Sequence, residues 1–188
     1  MRIISGIHKG RRIQEPNDKT TRPLKDLTKE SIFNILEHSN KLKVLLKESE
    51  VLDLFSGVGS FGIECLSRGA KEVTFVEKYN GVLPILKKNL LNLNKINNYN
   101  IVEKDINEKD FFKSFIKKFD IVFLDPPYKD NLNTILEKIN NSKLLSTNGI
   151  IILHRHKNQK DKLPKNYNII EEKKYGISKV IFINSLPQ

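Results

Sequence analysis

The chain has 188 residues, 38% hydrophobic and 29% charged, enough for one well-buried α/β domain with a small extension and too few for two full domains. Its apolar runs, such as residues 121–124 and 150–153, fall far short of the roughly 20 residues of a membrane helix. Its single cysteine, Cys65, forms no internal disulfide, and no signal-peptide pattern opens the chain, so a cytoplasmic protein without membrane association is expected. The formal charge of +11 points to a polyanionic partner. That excess needs a discount, because the 27 lysines and 20 asparagines are what drift in an AT-rich genome produces. The 6 arginines carry more weight: Arg2, Arg11, Arg12 and Arg22 all fall within the first 22 residues.

In chain order, residues 2–5 and 11–14 are short basic and apolar alternations around 6–10, which reads as a small basic hairpin. A polar stretch, 17–23, precedes a run after Asp26 with Leu27, Ile32, Phe33, Ile35 and Leu36 at helical spacing. Charged residues 41–50 then lead to a strand at 51–55. From there strands and helices alternate: helix 61–68, strand 73–77, helix 79–93, strand 99–102, helix 107–117, strand 120–124, helix 132–139 and strand 150–153. Apolar strands each followed by a helix imply a doubly wound parallel sheet covered on both faces. The ending differs, because strand-like runs 168–174 and 179–183 are joined by only four residues, which permits an antiparallel pair alone. The expectation is an α/β, Rossmann-like class I methyltransferase fold: a seven-stranded, mostly parallel sheet closed by an antiparallel hairpin.

The segment 51–62, VLDLFSGVGSFG, sets a glycine turn between the first core strand and its helix. Gly57 and Gly59 let the backbone turn tightly beside a ligand, flanked by Phe55 and Ser56. The glycines also fit the dinucleotide pattern, which alone is weak. Asp53 decides between cofactors: beside this loop a carboxylate repels a pyrophosphate and attracts the sulfonium and ammonium of S-adenosyl-L-methionine. Glu77, followed by Lys78, ends the next strand where an acid accepts from both ribose hydroxyls. Asp105 and the backbone of Ile106 follow the third strand and suit an adenine amine and ring nitrogen.

Asp125, Pro126, Pro127 and Tyr128 follow strand 120–124, at the edge where open α/β sheets bind ligands. An aromatic amine is a poor nucleophile because its lone pair is delocalised. Two acceptors aimed at its N–H bonds, the Asp125 carboxylate and the Pro126 carbonyl, favour a pyramidal nitrogen, while Tyr128 offers a stacking face. These residues point to methylation of an exocyclic base amine. Cys65, inside a helix, reads as a packed thiol rather than a nucleophile. His154 and His156 are read as facing opposite sides of their strand, with no other His or Cys nearby, and no metal site is expected.

Residues 2–12 (RIISGIHKGRR), Thr21, Arg22 and Pro23, the helix with Glu30, Phe33 and Asn34, the loop 53–62, Asp125 to Tyr128, and Lys174, Tyr175 and Gly176 together resemble the bacterial RsmD-type family, which methylates guanine N2 of 16S ribosomal RNA. Leu27 and Lys29 stand where that family commonly carries arginines, and His154 where it carries an acid. The resemblance implies residues 1–25 as a basic RNA-contacting hairpin and linker, with Arg2, Lys9, Arg11, Arg12 and Arg22 on RNA, and 26–188 as the methyltransferase domain. It also implies small-subunit RNA within an assembling 30S particle as the substrate, and nothing in the sequence demands more than a monomer. Two other readings are an adenine-N6 methyltransferase of DNA or RNA and a non-catalytic RNA-binding assembly factor with this fold. A nicotinamide oxidoreductase is disfavoured by Asp53 and the terminal hairpin.

Overall fold

A computed structural model describes residues 1–16, 24–94, 96–127 and 130–186. The elements are α1 (Asp26–His38), β1 (Glu50–Leu54), α2 (Ser60–Ser67), β2 (Glu72–Val76), α3 (Leu83–Leu91), β3 (Tyr99–Val102), β4 (Phe119–Leu124), α4 (Leu132–Asn141), β5 (Leu145–His156), β6 (Tyr167–Tyr175) and β7 (Ser178–Ser185). Among the described residues the strands form a seven-stranded sheet in the order β3-β2-β1-β4-β5-β7-β6. The first five strands pair in parallel, and β7 pairs antiparallel with both β5 and β6. This is the expected class I methyltransferase architecture.

Because side chains alternate along a strand, each central strand feeds two cores. Val51, Phe75, Phe123 and Ile152 pack toward α1, α2 and α3, while Leu52, Leu54, Val122 and Leu153 pack toward α4. The α4 face shows how sequence spacing makes this possible. Leu132, Ile135, Leu136 and Ile139 recur at helical intervals and are buried, and the Asn131 side chain caps the helix by accepting from Thr134 N–H at 3.3 Å.

Three local expectations are corrected. The helix expected over 107–117 is a single 3-10 turn, Phe111–Ser114. Asp110 adopts a left-handed φ of 59°, and Phe111, Phe112, Phe115 and Phe119 pack edge to face, so the aromatic spacing serves a loop cluster. The helix expected from residue 79 starts at Leu83, since Pro84 has no N–H and fits only in a first turn. Strand β5 begins at Leu145, well before 150, with an irregularity opposite Phe119 and Ile121 that absorbs the extra residues.

The amino-terminal arm pairs with itself through an antiparallel bridge between Arg2 and Arg12, with Ile3 N–H donating to the Arg11 carbonyl. Its apolar side chains belong to the core: Ile3 is 1% and Ile13 2% exposed. Glycine is required at its tip, where Gly6 sits at φ 82° and a Cβ would lie 1.8 Å from the Ser67 carbonyl oxygen. The arm is further tied down by Glu64, which is fully buried and accepts from the Ile4 and Ser5 amides at 2.8 and 2.9 Å.

Candidate functional site

Asp53 on β1, Glu77 just after β2, Asp125 just after β4 and His154 on β5 share the strand parity of the face that packs on α1, α2 and α3. At the carboxyl edge that face opens into a cleft of about 590 Å³. Phe55, Ser56, Gly57, Lys78, Asp105 and Ile106 also line it, as do Pro126 and Pro127. Gly59 stands behind the lining, with φ 85°, where a Cβ would meet Leu86 Cδ1 at 2.6 Å. Tyr128, like Arg22, Thr21 and Pro23, lies outside the described residues.

On the β1–β3 side the acids hold the loops in place. Asp53 is 1% exposed and accepts from Gly62 N–H at 3.0 Å, on the first turn of α2. Burial pushes its carboxyl up to about 8, with the charges of Asp125 and Glu77 adding to the rise and the Gly62 amide opposing it. Glu77 accepts from Gly57 N–H at 2.8 Å through one oxygen, and from Lys78 and Tyr79 N–H at 2.9 and 2.8 Å through the other. Phe55, at φ 62°, makes the turn between them in a conformation uncommon outside glycine. Asp105 accepts from Lys78 Nζ at 2.7 Å and from Asn107 N–H at 2.9 Å, and these contacts hold its carboxyl below the usual range.

On the β4–β5–β7 side the partners are side chains. Asp125 Oδ1 lies 2.9 Å from His154 Nδ1, whose Nε2 lies 3.0 Å from Ser178 Oγ. The Pro126 carbonyl accepts from Arg155 Nη1 at 3.3 Å. Arg155 is 3% exposed and held in a two-pronged pair by Asp161, at 3.1 Å through Nε and 3.0 Å through Nη2. His154 and His156 stand two apart in β5 and so share a face, contrary to the expectation above, while Arg155 between them points to the other. Among the described residues no group of three or more His, Cys, Asp or Glu is placed to hold a metal.

Arg2, Lys9, Arg11 and Arg12 are exposed on the arm, outside the cleft lining. Arg11 Nη1 reaches the Asn92 carbonyl at 2.5 Å. Lys29 is not a surface cation: it is fully buried, donates to the Arg2 carbonyl at 2.7 Å and lies 3.6 Å from Glu64. Its position therefore serves arm docking, and Leu27 is 69% exposed.

Sequence reasoning missed His154, Arg155, Asp161 and Ser178 as parts of the site. Arginine scarcity was the available signal. Of the two arginines outside the first 22 residues, Arg155 grips Asp161, and Arg68 grips Glu64 and Glu37 over the Phe33 ring. An arginine closing an apolar strand in a lysine-rich chain marks a bidentate partner that lysine cannot replace.

The family described as conserved hypothetical protein 95 matches residues 1–184. A ribosomal RNA small subunit methyltransferase D from Haemophilus influenzae is 36% identical over 180 residues, covering 94% of this chain and 90% of that protein. The protein of the same name from Escherichia coli K12 is 32% identical over 183 residues, covering 94% and 85%. A solved methyltransferase-family structure from Escherichia coli superposes with a TM-score of 0.83 at 27% identity, over 100% of this chain and 99% of that one. A methyltransferase solved with S-adenosylhomocysteine shares the fold at a TM-score of 0.63 and 19% identity, over 84% of this chain and 49% of that one. The matched length, the identity and the fold together make this chain a member of the conserved hypothetical protein 95 family, to which the RsmD-type methyltransferases belong.

Proposed function

We propose that this chain transfers a methyl group from S-adenosyl-L-methionine to the exocyclic N2 amine of a guanine in small-subunit (16S) ribosomal RNA. The observation that carries the reading is a cleft lined by Asp53, Glu77, Asp105 and Asp125 on a chain of net charge +11. So acidic a bed suits a sulfonium and an ammonium group and repels a pyrophosphate. The amides that a dinucleotide fold offers to phosphate are engaged here, Gly62 N–H by Asp53 and Gly57 N–H by Glu77.

Asp53, Phe55, Ser56, Gly57, Gly59, Glu77, Lys78, Asp105 and Ile106 are the residues that would hold the cofactor. When bound, S-adenosyl-L-methionine supplies an electrophilic methyl group on a positively charged sulfonium. The chain's own part is to bind and orient the amine. Asp125 accepts one amine N–H and the Pro126 carbonyl the other, so that the nitrogen lone pair is freed from the ring. A carbonyl oxygen has two lone pairs, and Arg155 occupies one while fixing the direction of the other. Pro127 stiffens the turn, and Tyr128 is assigned the stacking face for the flipped base.

Arg2, Lys9, Arg11, Arg12 and Arg22 are assigned to RNA phosphates, on a monomer acting in the cytoplasm on an assembling 30S particle. No helix among the described residues is long and apolar enough to cross a membrane.

Asp125→Ala tests the reading. Calorimetry should find cofactor affinity within about threefold of wild type, while methyl transfer to small-subunit RNA falls by roughly a hundredfold or more. Unchanged transfer would overturn the assignment.

A further inference from the structure

A hydrogen-bonded chain from three strands crosses the target side of the cleft: Asp125 after β4, His154 on β5 and Ser178 at the start of β7. All three line the cleft, and the sheet register fixes them together, with His154 opposite Val180 and His156 opposite Ser178. The polarity of the chain follows from its ends. An ionised carboxylate only accepts, so His154 Nδ1 carries the proton given to Asp125 Oδ1. In the neutral ring Nε2 then holds a lone pair, and the Ser178 hydroxyl turns to donate to it. One Asp125 oxygen is thus committed to the imidazole, which leaves Oδ2 for the cleft.

We infer that His154 is a positioning residue that aims the free Asp125 oxygen at the target amine. The inference rests on the methyl-transfer reading above. With neutral His154 the carboxylate keeps its full charge and draws on the amine N–H.

Two readouts test the inference. In ligand-free protein labelled with ¹⁵N histidine, NMR should show His154 as the Nδ1–H tautomer at neutral pH, with the Asp125→Ala variant losing that preference. In steady-state assays with small-subunit RNA at saturating cofactor, His154→Gln, whose amide can still donate to Asp125, should stay within about threefold of wild-type kcat. His154→Ala should lose roughly tenfold or more in kcat with cofactor affinity unchanged. An Nε2–H tautomer, or a His154→Ala kcat equal to wild type, would overturn the inference. Wild-type protein that transfers no methyl to any nucleic acid would overturn the methyl-transfer reading instead, while the tautomer still reports on the His154 contact.

Discussion

The two sides of the cleft anchor their acidic groups to different partners. On the β1–β3 side Asp53, Glu77 and Asp105 accept mainly from backbone amides of neighbouring turns, at separations of 9 residues for Gly62 and 20 for Gly57. On the β4–β5–β7 side Asp125 and the Pro126 carbonyl each meet a side chain 29 residues away. The first arrangement is built into local loop geometry, because the amides are present whatever the side chains. The second exists only when β5 and β7 stand in the right register, so its chemistry depends on sheet packing and on particular residues.

The contrast is broken most severely at Asp161. Asp161→Ala leaves Arg155 buried without its bidentate partner, and we expect a loss of about 3 kcal/mol in urea unfolding together with a fall in kcat, because the Pro126 carbonyl loses its guide. Retention of wild-type stability would mean that Arg155 finds water or another acceptor. Arg155→Gln, which removes the guanidinium and its charge together, should cost less stability while still lowering kcat, with the cofactor affinity of the other side untouched.

Asp53→Asn probes that other side. The amide oxygen still accepts from Gly62 N–H, but the charge is gone, and calorimetry should show cofactor affinity lowered by roughly tenfold. The pH dependence has a definite sign. The carboxyl sits at about 8 in the folded protein against an ordinary value of 3.8, so its contribution to stability is complete below that ordinary value and is lost as pH rises toward 8. Thermal unfolding of ligand-free Asp53→Asn should therefore gain on wild type between pH 4 and 8. A constant difference across that range would place the Asp53 carboxyl near its ordinary value. Cofactor binding to wild type near pH 7 should also release a proton, visible as a dependence of the calorimetric heat on buffer.

The smallest effect is expected at Lys78→Ala. Its pair with Asp105 is half exposed, and Asp105 retains the Asn107 amide, so cofactor affinity should change by less than about threefold. A larger loss would show that Lys78 touches the ligand itself.

The same contrast explains what was legible in the sequence. Glycine turns, strand-end acids and the Asp125-Pro126-Pro127 run have short-range signatures, and the alternation from residue 50 onward shows a parallel sheet with an antiparallel close. The helix expected over 107–117 was not legible as a loop, because phenylalanines at 111, 112 and 115 imitate a helical face while Asp110 turns the backbone left-handed. Strand β5 reads short because Asn148 and Gly149 look like a turn, yet the chain runs through them as an irregular pairing with β4. Nothing local in the sequence marks Lys29 and Glu64 for burial, yet both are fully buried and dock the arm. Apart from the scarcity of arginine that marks Arg155, His154 and Ser178 carry no local pattern, since only the pairing of β5 with β4 and β7 brings them beside the proline turn.

The most direct test of the account is methyl transfer from labelled S-adenosyl-L-methionine to unmodified small ribosomal subunits, naked ribosomal RNA and DNA in parallel, followed by digestion to nucleosides. The account predicts label as N2-methylguanosine from the subunit or its RNA. Label in methyladenine alone would contradict the guanine assignment, and no transfer to any of the three would contradict the enzymatic reading itself.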